Sequence, residues 1–564
     1  MFRDSRVLLV VAVAVALWVP LARMEWFDGD EKASYIWRTV EWATELKAGV
    51  LYPRWCPDFY GGYGSPLFVF YGPVIYGVAG LLTATFLSAY WALKVVMLCC
   101  SVIAGVATYA LVFGETRQHN AALVGAMAYL ASPYRIGDLY SRGDLGEFAA
   151  LALLPVVIAI YRAAGREALP RRARHLTIGA SVLNALLIMS HPVVGMWGTL
   201  VVGLVVAATA ANLIAKGLAR SALVLILALV CAPGLAAVYV LPAIAYRDAA
   251  HTASMVIGFY KPQDQWLPFH ALFEEIVPIF GRNYFRLGPL IALASVVVLA
   301  GIALNFRRAR FALGWLALTA VLVWLTLPQG AGFWAPGRVP LSQFIQFPWR
   351  LLGPASLTVS VALGIGMAAI GDRLAEQTNS RLALVTSTAL LLGLAWPYVS
   401  APLMPIEGVP ADSESIRVAL LSATDADEYL PLVVAAPPTR ARAEVVASME
   451  GAALGSSHSD GSRNTLEVQA KASHAVVHLS LYAFPGWRVD TLSGPGKATL
   501  ENDANGLLRV NLPVAGAYRV RVSYGTSPAE RLGAMLSVLS VLGLGLLLLR
   551  GSAWWQAPMS IGAT

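Results

Sequence analysis

Cysteine, charge and nucleotide-binding motifs are all scarce in this 564-residue chain. There are 4 cysteines. Three of them, Cys99, Cys100 and Cys231, lie in apolar runs and Cys56 stands apart, which leaves no disulfide framework and no thiolate metal quartet. Charged residues make up only 13% of the chain against 57% hydrophobic, with a mean hydropathy of +0.64; that balance excludes an ordinary soluble protein of this size. The formal net charge is +8, but the basic residues sit in short loops between apolar runs, where the positive-inside rule accounts for them. No nucleic-acid partner is implied. The chain has no P-loop, no GxGxxG after a strand and no GxSxG elbow, so nucleotide-driven transport and serine hydrolysis lose support. His119, His175, His251, His270, His458, His474 and His478 have no compact metal-ligand spacing, which argues against structural zinc.

What the chain does have is a succession of long apolar runs. They begin near residues 7, 67, 91, 121, 148, 176, 193, 221, 288, 311, 350, 382 and 532, each near the length needed to cross a bilayer. Arg3 and Arg6 precede the first run, and Leu21, Ala22 and Arg23 offer no small-residue cleavage site, so an uncleaved first span with a cytoplasmic amino terminus is expected. Basic loops at Arg162 to Arg174, Lys216 to Arg220, Arg307 to Arg310 and Asp372 to Arg381 should face the cytoplasm. Counting crossings from both directions agrees only if one early run stays at the interface. The run at 67–87, with Pro66 and Pro73 at its start, is the one chosen, giving about 12 transmembrane helices. The same parity places 23–66, 133–147, 246–287, 328–349 and 399–529 on the outer side. Within 442–525, alternation of polar and apolar residues, with turn signals at Ser459-Asp460-Gly461 and Asn505-Gly506, predicts a small extracytoplasmic β-sandwich. The expected fold is therefore an α-helical polytopic membrane protein with a β-sandwich near its C-terminal end. Its parts are a membrane module over 1–398 with a first outer loop at 23–90, the β-domain over 399–530, and a last helix and cytoplasmic tail over 531–564.

The outer stretches collect the chemistry. Residues 28 to 76 concentrate carboxylates, arginine, aromatics, glycine and proline. Were 31 to 48 helical, Glu31, Tyr35, Arg38, Trp42 and Glu45 would share one face. Gly61, Gly62 and Gly64 would let the backbone approach a ligand or another segment closely. Asp28 is also a candidate helix cap, with Glu31 completing a capping box. A second group, YRIGDLYSRGDLGE (134–147), holds Asp138, Arg142, Asp144 and Glu147 within about three helical turns. Arg350 in QFIQFPWRLL and His191 in SHPVVG stand at the mouths of other spans. Ionisable residues at a membrane boundary are costly unless paired or used, so their grouping is a site hypothesis. The simpler reading pairs Arg142 with Asp138 or Glu147, lets Arg350 snorkel to headgroups, makes His191 a helix terminus and assigns the aromatics to an interfacial belt.

LYPRW (51–55), GYGSPLFVFYGP (62–73), LYSRGDLGEF (139–148), SHP (190–192), FPWRLL (347–352), EYLPL (428–432) and FPGWRV (484–489) resemble the large bacterial membrane proteins related to GT-C glycosyltransferases. Some of these are catalogued as pyruvoyl-tetrahydropterin-synthase-related, an activity that requires a zinc-binding histidine cluster not found here. The resemblance implies an enzyme of the cytoplasmic membrane that uses a polyprenyl-phosphate sugar donor and a glycan, lipid or protein acceptor. It also implies an active site in the first outer loop and a second acidic site in the next. On that reading Asp28, Asp30 or Glu31 is the base, assisted by Asp138, and Arg38, Arg142 and Arg350 bind phosphate. Trp42 and Tyr63 contact sugar or lipid, and Asp144, Glu147 and His191 complete the substrate site. Asp28 and Asp30 stand in for the paired carboxylates of the relatives, and Tyr35 occupies the place of a frequent histidine. No metal ligands are assigned, although a divalent cation would suit the acidic sites. Two other readings are a transporter of lipid-linked glycan and a non-catalytic assembly protein on the same scaffold.

Overall fold

A computed structural model describes residues 4–23, 26, 34–166, 170–258, 261–274, 285–335, 346–400, 413–420, 427–438 and 440–549. Asp28, Asp30 and Glu31 lie outside them. Nine of the described helices are long and apolar enough to span a membrane. The helix Pro73–Thr85 has 13 residues; at 1.5 Å per residue it is about 20 Å long, short of the roughly 30 Å hydrocarbon core. His119–Leu130 is also short, and nearly all of it is buried in the middle of the bundle. The longest helix, Gly288–Trp324, is broken at Asn305 (φ −152°, ψ 77°). A Cβ on Gly301 would lie 3.5 Å from that of Ala309, whereas residues eight apart on a straight helix are about 12 Å apart. The chain therefore doubles back at Asn305, next to the basic stretch Arg307 to Arg310.

The two ends of the bundle differ in chemistry. One end is a network of exposed and half-buried ion pairs, Arg162 and Arg166 to Glu115 (2.7 Å each) and Arg308 to Asp372 (2.6 Å), with Arg6 donating to the Asn120 side chain (2.9 Å). The other end carries Asp144, His191 and Arg350 at the starts of three long helices, together with the β-domain.

Eight strands make two four-stranded antiparallel sheets. The strands are β1 (Val446–Glu450), β2 (Ala452–Asp460), β3 (Arg463–Ala470), β4 (Ala475–Tyr482), β5 (Trp487–Ser493), β6 (Thr499–Asn502), β7 (Leu507–Leu512) and β8 (Gly516–Tyr524). Their orders are β1-β4-β7-β6 and β2-β3-β8-β5. Alternate residues of β3 and β8 (Leu466, Val468, Val520, Val522) meet Val477, Leu479, Val510 and Leu512 of the other sheet in one apolar core. The alternating stretch from 463 to 482 is two strands, β3 and β4, parted at 471–474, and β2 is a strand that alternation does not announce. Its second half, GSSHSD, is exposed and polar, so it carries no apolar alternation to read.

The first loop grips this domain. Trp55 stacks on Tyr524 (centroids 5.2 Å apart) and meets Trp487 edge-on (5.1 Å). The Tyr482 N–H donates to Tyr63 O (2.9 Å), and that of Arg442 to Gly61 O (2.8 Å). Gly61, Gly62 and Gly64 all have positive φ. A Cβ on Gly61 would lie 2.7 Å from Ala441 Cα, and one on Gly62 would meet Arg442. The close approach that Gly61 and Gly62 allow is thus to the chain entering the β-domain, while Gly64 makes room for the Trp55 ring.

Candidate functional site

Local sequence builds the site from three helix starts. Asp144 caps Leu145–Ala164 by accepting the Glu147 N–H (3.1 Å), with Glu147 at the third helical position. His191 caps Pro192–Ala215 through Nδ1, which accepts the Val194 N–H (3.1 Å), and Pro192 follows as the first helical residue. Pro348 opens the turn that carries Arg350 into Leu352–Gly371. Ahead of Asp144, residues Asp138–Arg142 form a π-turn closed by Gly143 at φ +68°. The turn sets Asp138 and Arg142 side by side.

The three starts converge. Arg142 binds Asp138, Glu147 (3.0 Å) and Asp144 (3.2 Å). Arg350 lies 3.3 Å from Glu147 and 3.5 Å from Asp144. His191 Nε2 is 3.7 Å from Asp144 and 3.3 Å from Arg350 Nη1. Tyr134 donates to Glu147 (2.5 Å). Tyr35, from the helix Ser34–Lys47, donates to Asp144 (3.1 Å) and accepts the Gly146 N–H (2.8 Å). Trp349 roofs the group, with the Arg142 guanidinium 4.9 Å from its ring centre. Asp138 and Glu147 are fully buried, yet one Asp138 oxygen has no hydrogen-bond partner.

Burial raises the Asp138 and Asp144 carboxyls, and charge decides the outcome. At Asp144 the effect of burial is outweighed by His191 in its charged form and by Arg142 and Arg350, which hold it below the usual carboxylate range. At Asp138 burial and repulsion from Glu147 win over Arg142, and it is pushed well up. Burial holds His191 down at about 4, so the imidazole is neutral at neutral pH. The ionised Asp144 is then balanced by the two guanidinium groups.

Asp144, Glu147 and His191 place one ligand atom each within 4.8 Å of one another, a spacing that could hold a cation. Their donor atoms already face guanidinium groups, however: both carboxylates pair with Arg142 and Arg350, and His191 Nε2, the ring nitrogen turned to Asp144, lies 3.3 Å from Arg350 Nη1. A cation there would have to displace a guanidinium group, so this arrangement does not fit a resident metal.

Of the other residues singled out above, Arg38 and Trp42 are buried in an aromatic box one and two turns beyond Tyr35. Arg38 donates to Tyr76 OH (3.2 Å) and lies 4.0 Å from the Tyr71 ring centre. Trp42 packs on Phe68 (4.8 Å), and Gly80 leaves it room. Tyr63 sits against Tyr482 of the β-domain (5.3 Å), away from the cluster. The sequence reading passed over Tyr134 and Trp349, and also Arg135, which is fully buried with its guanidinium 4.5 Å from the Phe148 ring centre. Arg135 precedes Asp138 by three residues in the same charged motif, and that spacing was the available signal. No protein-family model matches this chain, and no curated protein matches it.

Proposed function

We propose that this protein is an integral-membrane glycosyltransferase of GT-C type. It moves a sugar from a polyprenyl-phosphate donor to an envelope glycan, lipid or protein acceptor at the outer face of the bacterial cytoplasmic membrane. One observation carries the reading: three long apolar helices begin at a single buried cluster of carboxylates and guanidinium groups. Helix N-termini favour anions, and guanidinium groups match phosphate oxygens in two-point geometry. Arg142 and Arg350 are the groups to receive the donor's phosphate, exchanging contacts with Asp144 and Glu147 as it enters. The base takes a proton from the acceptor hydroxyl as that oxygen attacks the anomeric carbon, while the phosphate leaves with the bonding pair, stabilised by the arginines. Asp28, Asp30 and Glu31 precede Tyr35 by seven, five and four residues, and Tyr35 touches Asp144. This makes them the candidates for the base, with Asp138 assisting. The basic end of the bundle faces the cytoplasm in this reading, the chain crosses about twelve times, and Asn305 is a cytoplasmic turn.

Glycan analysis of the cell envelope tests the reading. Cells carrying a deletion, and cells with the Asp28→Asn, Asp30→Asn, Glu31→Gln triple variant at wild-type protein level, should lose the same sugar. If the triple variant restores it fully, these carboxylates are not the base, and a transport or assembly role takes precedence.

A further inference from the structure

A second buried group of carboxylates lies at the far end of the helix Ser34–Lys47, where it touches the β-domain. Glu45 accepts two hydrogen bonds from the β2–β3 turn, from the Ser462 N–H (2.7 Å) and the Ser462 hydroxyl (2.6 Å). Gly461, at φ +56°, lies directly on the Glu45 carboxylate. One turn back on the same helix, Glu41 is fully buried; one oxygen accepts the Asp58 N–H (3.2 Å) and the other has no partner. Asp58 is held by Arg417 (2.8 Å). The other charged groups facing this contact are Arg463, which donates to Ala48 O (3.0 Å), and Arg442, which faces Asp58. We propose that this contact is a proton-sensitive latch: the β-domain is clamped to the helix Ser34–Lys47 while Glu45 and Glu41 are protonated, and loosens when they ionise.

The sign follows from burial. In the docked protein, burial outweighs the Ser462 hydrogen bonds and raises the Glu45 carboxyl from 4.5 to about 7. Glu41 is pushed up by burial and then by Asp58. Released into water, a glutamate titrates near its ordinary value, so the docked state binds more protons between these limits. Docking therefore weakens as pH rises, and the contribution of Glu45 levels off above about 7. The latch does not depend on the reaction proposed above. Its other consequence is mechanical, since the same helix holds Tyr35 against Asp144.

Hydrogen exchange on the full-length protein in detergent tests it through the protection factor of the Ser462 amide, with core amides of β4 and β8 as the control. For Glu45 alone, protection should fall about thirtyfold between about pH 5.5 and about pH 8 in the wild type. It should stay flat in an Glu41→Gln, Glu45→Gln double variant, while the control amides hold in both. Protection that does not change with pH in the wild type, or that falls equally in the double variant, would overturn the proposal.

Discussion

The helix Ser34–Lys47 has a buried acidic group at each end; Asp144, which touches it, and Glu45, which lies on it, are shifted in opposite directions although burial raises both. Near its start, Tyr35 touches Asp144; ten residues on, about 15 Å along the axis, Glu45 touches Ser462. At the first, Arg142 and Arg350 both reach Asp144 and Glu147, and Asp144 is held below the usual range. At the second, Glu45 has only an N–H and a hydroxyl, and burial lifts it to about 7. The number of guanidinium groups within reach, more than depth, separates an ionised site from one poised to take up a proton.

The strongest way to break the contrast is to remove the guanidinium from the first group. Arg142→Leu leaves Asp138, Asp144 and Glu147 with one cation fewer in a buried setting. It should cost about 3–5 kcal/mol, read as a lowered melting temperature of the purified protein, with loss of the envelope glycan. The second group should show its sign in pH: wild-type stability should decline by about 2–3 kcal/mol as pH rises from about 5 to about 8, and Glu45→Gln should flatten most of that slope. Arg350→Lys keeps the charge at the first group but cannot span Asp144 and Glu147 as a fork. A loss of about 1.5 kcal/mol in thermal or denaturant unfolding is expected. Tyr35→Phe is the mildest change. It removes the hydroxyl between Gly146 N–H and Asp144 and should cost about 1 kcal/mol, with Asp144 still held by its arginines.

Asp138, Arg142, Asp144 and Glu147 were legible as a group because they fall within ten residues, and caps such as Asp144-x-x-Glu147 and His191-Pro192 announce helix starts. His191 and Arg350 were recognisable as boundary charges, but nothing in their local sequence says that they meet. The Gly61 to Gly64 run was legible as a place of close approach, and the partner of Gly61 and Gly62, the chain at Ala441 and Arg442, was not. Trp487 packs at the junction with Trp55, a role visible only once both domains are placed.

By itself, then, the sequence determined the class of elements: apolar runs require helices long and apolar enough to span a membrane, alternation requires strands, and caps place the helix ends. These follow from hydrophobic periodicity and backbone chemistry, which are local. Tertiary structure alone decided which charges share a site, because pairing Asp144 with His191 and Arg350 depends on how helices far apart in the chain pack side by side. It also decided which carboxyl keeps its proton, since that depends on the cations that packing brings within reach.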